Sequence, residues 1–365
     1  MSNKPQDIKR KVVKFATIRQ AFSGITLGAN IVALLLLWFV CGTTYLPPSH
    51  YSLITVAGLA FPIVLVLNLV FLFLWIFVNW RYLWVPVLGM GLTWNFIMDY
   101  HPVNLGARKN RGELKVVSWN VRALYGIENK ESEFDEKIKS WNADMFVFQE
   151  EYGGRLVDHV DRLMARLGYQ KAEGNGRVLY SRFPILSSRE VEAPTSNANG
   201  FFATEVLING DTIAVIDCHL ESNLITPEDR ADGRAAINNH IDKQTVRKAR
   251  TLWGKLARSA RTRAQQTDRL TQLIDSLPPR RPVILCGDFN DTPISYAYQR
   301  VGKRLQCAWR NAGNGVGVSF NERFFYFRID HFFHSDHWET RTVKIEPHSP
   351  FSDHNPQIVT LHRVK

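Results

Sequence analysis

The sequence predicts an α/β domain, its sheets covered by helices, preceded by an N-terminal transmembrane helical region. Three observations predict this. Residues 20–80, 61 in a row, contain no Asp, Glu, Lys or Arg, which no core helix of a soluble protein requires. From Gly112 onward, short apolar or alternating runs of strand length are interleaved with helical stretches. The apolar share, 45% with 12% aromatic, is far too high for a disordered chain, and four cysteines without C-x-x-C spacing exclude a disulfide-stapled miniprotein.

The elements follow in order. Residues 1–20 form a basic N-terminus expected in the cytoplasm, because Lys4, Lys9, Arg10, Lys11, Lys14 and Arg19 precede the first span and the next turn has no cation. Residues 21–100 are the membrane region. The Pro47-Pro48-Ser49-His50 turn splits the uncharged run into spans 25–46 and 53–78. Residues 82–98 form a third uncharged stretch of 17, with Trp80, Tyr82, Trp84, Trp94 and Tyr100 near its ends as interfacial aromatics. Three spans put the rest of the chain outside, on the periplasmic side of a bacterial inner membrane. Were 82–98 only interfacial, the rest would be cytoplasmic, and Arg108, Lys109 and Arg111 after it favour that locally. A cleaved signal peptide does not fit an apolar run so long and so late.

Residues 101–113 read as a short tether and 114–365 as one catalytic domain. Strands are expected at 114–119, 145–148, 178–180, 202–208, 212–218, 283–286, 328–333 and 342–345. Helices are expected at 132–141, 156–167 and about 227–277. The residues suited to chemistry sit at strand ends: Asn120, Gln149-Glu150, His219, Gly287-Asp288-Phe289-Asn290, Ile329-Asp330 and Ser352-Asp353-His354. Singly each is weak, since a strand-terminal Asn or Asp is more often a turn former than a ligand.

Together, and in this order, these motifs with Tyr180-Ser181-Arg182-Phe183-Pro184-Ile185 resemble the endonuclease/exonuclease/phosphatase superfamily over about 114–361. The resemblance implies a four-layer α/β sandwich, two packed sheets flanked by helices, and a Mg²⁺- or Mn²⁺-dependent hydrolase of phosphate esters. It implies Asn120 and Glu150 as metal ligands with Asp353 as a further contact, and His354 held by Asp330. It also implies Asp288 at the attacking water, and Asn290 and His219 donating to phosphoryl oxygens. Tyr180 is equally open to substrate contact or support. Elementary chemistry agrees: an ester phosphate needs its charge neutralised and a water placed in line, and Mg²⁺ takes hard oxygen ligands. Zinc is disfavoured, as no Cys/His cluster has its spacing. An inactive binding module is the rival reading, but none of Glu150, His219, Asp288, Asn290 or His354 is missing.

The net charge of +11 is uneven: +6 lies in residues 1–98, +8 in 243–269 and −3 in all the rest. The basic segment suggests an anionic partner, with Lys248, Arg250, Lys255 and Arg258 as candidates for substrate or anionic-surface binding and Trp253 as an interfacial anchor. A lipid headgroup or lipid-linked phosphate is the expected substrate, favoured by tethering beside the bilayer. Nucleic acid and a soluble phosphate ester are the alternatives. Nothing in the sequence points to a protein partner.

Overall fold

The computed structural model describes residues 4–104, 106, 112–194, 199–226, 228, 229, 231, 243–322 and 325–364. Parts of the expected tether and of the helix start at 227–242 therefore lie outside the described residues.

Apolar sequence builds the N-terminal part as helices α1 (Lys4–Gly42), α2 (Pro48–Thr55) and α3 (Phe61–Val78), then α4 (Trp84–Gly91) and α5 (Trp94–Tyr100). Two stretches, Gln20–Tyr45 and Pro48–Val78, are long and apolar enough to cross a membrane. α1 and α3 run antiparallel: Trp75 Nε1 donates to Asn30 Oδ1 (3.0 Å) and Asn68 Nδ2 to Ala33 O (3.0 Å). The third expected stretch, 82–98, holds two short helices that meet at Thr93 (φ −105°, ψ 14°). α4 packs closely on α1, where a Cβ at Gly89 would lie 2.4 Å from Leu34 Cδ2. Trp38 Nε1 caps that contact by donating to Gly89 O (2.8 Å). The second expected span, 53–78, is not one continuous α-helix. Residues 56–60 form a 3₁₀ turn that passes so near Ile294 that a Cβ at Gly58 would come within 2.3 Å of its carbonyl oxygen.

The domain that follows is a sandwich of two six-stranded sheets. The first has the order β13-β14-β1-β2-β4-β3, formed by Trp338–Ile345, Gln357–Arg363, Leu114–Asn120, Met145–Gln149, Arg177–Ser181 and Gln170–Glu173. The second has the order β5-β6-β7-β8-β12-β9, formed by Ile185–Val191, Gly200–Ile208, Asp211–His219, Val283–Asp288, Asp330–His334 and Gln306–Cys307. β1 and β2 are parallel, as are β7 and β8; the other pairs are antiparallel. Buried Val116, Met145 and Val147 of one sheet meet Val215, Ile284 and Phe332 of the other in a dry inner layer. Outside the first sheet, α6 (Glu131–Trp141) and α7 (Arg155–Arg166) bury Phe134, Ile138, Val160 and Leu163 around Trp119. Outside the second lie α8 (Lys243–Ser276), α9 (Tyr296–Gly302) and α10 (Ala308–Ala312), packed through Leu270, Leu273, Val301 and Trp309. These are the four expected layers. A small hairpin, β10 (Phe320–Glu322) with β11 (Phe325–Phe327), stands beside His354.

The domain does not hang from its N-terminal helices; it is seated on them. Asp99, buried in α5, accepts from Arg310 Nη1 (2.6 Å) and Gln299 Nε2 (2.8 Å), and its carbonyl accepts from the fully buried Arg328. Asn104, at the start of the expected tether, donates to Arg310 O and Gly313 O. Ile294 is buried in the same apolar cluster as Leu34, Phe61, Met90 and Tyr100.

Candidate active site

Strand ends converge at one edge of the sandwich because register places them there. His219, Asp288 and Asp330 occupy one rung across β7, β8 and β12, while Asn120 and Gln149 close β1 and β2 side by side. Gly287 is obligatory in this arrangement: at φ +136° a Cβ would fall 2.0 Å from Cys218 O. Glu150 (φ 57°) and Asn290 (φ 51°) take left-handed backbone immediately after strands. Such strained positions persist where the surroundings over-determine them, often at functional sites.

Asn120 lies at the centre. Its Nδ2 donates to Glu150 Oε1 and Asp288 Oδ2, both at 3.0 Å, and its Oδ1 accepts from the Arg122 N–H (3.0 Å). His219 Nε2 stands 3.6 Å from Glu150 Oε1 and 3.8 Å from Asp288 Oδ2. His354 Nδ1 bonds Asp330 Oδ2 at 2.8 Å, leaving Nε2 directed at Asp288 Oδ2, 3.7 Å away. Ser319 Oγ fixes Asp330 by accepting its N–H, Trp119 Nε1 donates to His354 O, and Phe320 packs on the imidazole at 5.0 Å. Asn290 N–H donates to Asp288 Oδ1 (2.8 Å), and Asn290 Nδ2 ties back to Leu220 O.

Burial raises the Asp288 carboxyl to about 7, helped by the neighbouring Asp330 charge. For His354 burial works the other way, yet Asp330 and Asp288 carry its imidazole up to about 10. His219 stands near Glu150 and Asp288 without a hydrogen bond to either, so burial dominates and it falls to about 3, pushed further by Arg177 and His354. Two histidines in one pocket thus prefer opposite charge states, set by which one is hydrogen-bonded to a carboxylate.

Glu150, His219 and Asp288 each bring one ligand atom within 4.8 Å of the others, as do Asp288, Asp330 and His354. The second group is an internal ion pair, with His354 Nδ1 already bonded. The first suits a divalent cation: two carboxylates share a single amide donor, and Glu150 remains partly open to solvent.

Other expected residues are placed differently. Asp353 is outside both groups and pairs with Arg122 Nη1 at 3.4 Å. Tyr180 is corrected from a catalytic to a supporting position: it is buried, and its hydroxyl bonds Glu151 Oε1 (2.7 Å) and Asp161 Oδ1 (2.6 Å) behind the strand that carries Glu150. Burial raises the Glu151 carboxyl to about 7 against the opposing hydrogen bond from Tyr180. Of the basic candidates, Lys248, Arg250 and Arg258 are exposed, while Lys255 pairs with Asp229 at 2.5 Å.

One functional residue escapes sequence reading. Arg263, a cation of the basic segment, is buried: its Nε donates to Asp291 Oδ2 (3.1 Å) and its Nη1 to Glu221 O and Asn223 Oδ1 (3.0 and 2.9 Å). Asn223 Nδ2 in turn donates to Asn290 O (2.9 Å). A single guanidinium therefore fixes the loops after His219 and after Asp288. Its signal was spacing, for Leu256, Ala260, Arg263 and Thr267 lie on one helical stripe, all of them buried.

A two-sheet sandwich with clustered carboxylates, an Asp-held histidine and strand-end amides defines a metal-dependent phosphoric ester hydrolase. The family model for endonuclease/exonuclease/phosphatase proteins matches residues 117–354, and the chain belongs to that family. Residues 23–100 match a domain of unknown function (DUF8431). No curated protein matches the chain in sequence. The catalytic domain of human Nocturnin with bound sulfate is 16% identical over 69% of this chain and 94% of its own, with a TM-score of 0.50, a likeness of fold. Humanized D. rerio TDP2 (17% identity, 68% and 98% coverage, TM-score 0.48) and sphingomyelinase C from Streptomyces griseocarneus (17%, 67% and 98%, 0.46) are also similar.

Proposed function

We propose that the protein is a membrane-anchored, Mg²⁺-dependent hydrolase acting on phosphate esters of lipid headgroups or lipid-linked phosphates at the bilayer surface. The observation that carries this is the seating of the site. Four residues beyond Asn290, Ile294 is buried among the N-terminal helices, so the catalytic edge is held close to them. Those helices expose Phe22, Ile25, Ile63, Val66, Val70, Phe73 and Phe77 on their outer sides, a surface suited to lipid and unsuited to water. α1 and α3 run antiparallel, and α4 and α5 pass back beside α1, with Gly89 against Leu34 and Phe96 against Tyr45. That supports an N-terminus and Arg81 on the cytoplasmic side and the catalytic domain outside, periplasmic if the membrane is a bacterial inner membrane.

Glu150 and Asp288 would hold a divalent cation, which would supply positive charge against the phosphoryl oxygens. The chain's own groups do the rest. Asn290, locked by Leu220 and Asn223, and His219 face the pocket as donors for nonbridging oxygens. Asp288 and the His354 imidazolium, 3.7 Å apart, face one another where an attacking water would be oriented, with the carboxylate as the acceptor of its proton. Asp330 holds the ring so that Nε2 always faces that water.

The test is full-length protein in nanodiscs with Mg²⁺, assayed for headgroup or phosphate release from phosphatidylglycerol, phosphatidylethanolamine and sphingomyelin, beside plasmid DNA and a soluble phosphomonoester. Chelation should abolish hydrolysis, and Mg²⁺ or Mn²⁺ should restore it. DNA cleavage without lipid turnover would replace the lipid reading with a membrane-tethered nuclease.

A further inference from the structure

The basic half of α8 is where structure and charge combine beyond catalysis. Its first turns lie beside the segment linking α1 to α3. Trp253 Nε1 donates to Leu53 O (2.9 Å), Arg261 Nη2 to Ser52 Oγ (3.3 Å), and Leu256 and Ala257 pack on Val56. Residues 48–60 are thus the point at which the apolar helices meet the catalytic domain, and α8 runs along that level.

At 100° per residue, Lys243, Arg247, Arg250, Arg258 and Arg261 fall within about 80° of the helix circumference, over about 27 Å of its length. All five are exposed. Among the described residues no carboxylate pairs with Arg247, Arg250 or Arg258. Lys255, about 80° round from Arg247 on the same geometry, is the cation that Asp229 neutralises. Beside the stripe, Val246 (57% exposed), Trp253 (41%), Leu53 (60%) and Tyr51 (47%) form an apolar edge continuous with the exposed side chains of the helices. A row of exposed cations bordered by exposed aromatic and aliphatic groups matches the boundary between headgroups and acyl chains. A nucleic-acid strand would be served by the cations and not by the apolar edge.

We propose that this stripe binds the anionic headgroups of the bilayer leaflet from which residues 48–60 emerge. α8 then lies on the membrane as a cationic strap while its buried face, through Arg263, holds the loops of Asn290 and His219. This rests on the membrane reading above, and adds that the leaflet is anionic and that α8 touches it.

The test uses full-length protein in mixed detergent micelles titrated with phosphatidylglycerol, phosphatidylcholine or duplex DNA at physiological salt, comparing wild type with R247Q/R250Q/R258Q. Each cation near an anionic surface is worth about fivefold in binding, so the triple variant should bind phosphatidylglycerol about a hundredfold more weakly. Its binding of phosphatidylcholine and its thermal melt should match wild type. Equal wild-type affinity for the two lipids, or a variant that keeps its phosphatidylglycerol affinity, overturns the proposal. Tighter binding of DNA, lost in the same variant, reassigns the stripe to a nucleic-acid backbone. Separate flotation with phosphatidylcholine vesicles reports insertion alone; protein that fails to float refutes the membrane reading instead.

Discussion

Replacing Asp330 by Asn tests the mechanism most directly, because it keeps the shape of a buried side chain and removes only its charge. The His354 imidazole rises from its ordinary 6.5 to about 10 against an opposing effect of burial, with Asp330 the largest favourable contributor and Asp288 next. At 1.36 kcal/mol per pKa unit, that rise is on the order of 5 kcal/mol of preference for the imidazolium, most of which depends on the 2.8 Å contact with Asp330 Oδ2. An Asn amide placed there removes the charge that keeps His354 protonated and can turn its N–H₂ toward Nδ1, so the ring loses both the charge and the orientation that it presents to Asp288 and the water. Loss of proton transfer by one positioned group lowers turnover by about 10²–10⁴-fold. The assay is kcat and KM for bis(p-nitrophenyl) phosphate with saturating Mg²⁺, with a thermal melt to confirm folding. We expect kcat to fall in that range with KM within a few-fold. A folded variant within tenfold of wild-type kcat, with an unchanged pH profile, would refute the assignment of Asp330 and His354 as one unit.

Three further outcomes are expected. Asn120→Ala removes the donor shared by Glu150 and Asp288, and should raise the Mg²⁺ concentration for half-maximal activity by about 10–100-fold, measured by metal titration. Arg263→Ala leaves Asp291 buried without its partner and should cost about 3–5 kcal/mol of stability in denaturant melts, with activity falling as Asn290 loses its support. His331, buried and beside Arg328, stays neutral down to about 3 while an unfolded chain protonates near 6.5. The unfolded state then binds the extra proton in that window, so this histidine's contribution to stability is lost by about 1.4 kcal/mol per pH unit as pH falls from 6.5 toward 3. Melts across pH should show a shallower slope for His331→Gln.

The catalytic constellation was legible because each of its residues ends or opens a strand, and strand ends converge whatever the details of the sandwich. Apolar runs such as Met145–Gln149 and Val283–Asp288 announced themselves by composition. Polar edge strands did not: Gln170–Glu173 and Ile185–Val191, the latter exposed along most of its length, hold their place by pairing with neighbours and carry little periodicity. The division of residues 82–98 into two short helices was not legible, because hydropathy counts apolar residues and does not show where a helix ends. Tyr180 sits in a family motif, yet here its hydroxyl is spent on Glu151 and Asp161, a placement visible only once the direction of the side chain is known. Arg263 is one of nine cations in a segment that the sequence assigns to an anionic partner, since charge runs conceal a member whose neighbours on the stripe are buried.

The seat formed by Asp99 moves the effective border of the catalytic unit. By composition the enzyme begins near residue 112, where strands start. By contacts it begins near Trp94, because Arg328, 2% exposed, and Arg310 spend their donors on α5. A fragment cut at residue 112 would be no enzyme freed of an anchor. It would carry a raw, cation-lined floor where a helix had been, and its behaviour in solution would report the damage more than the chemistry.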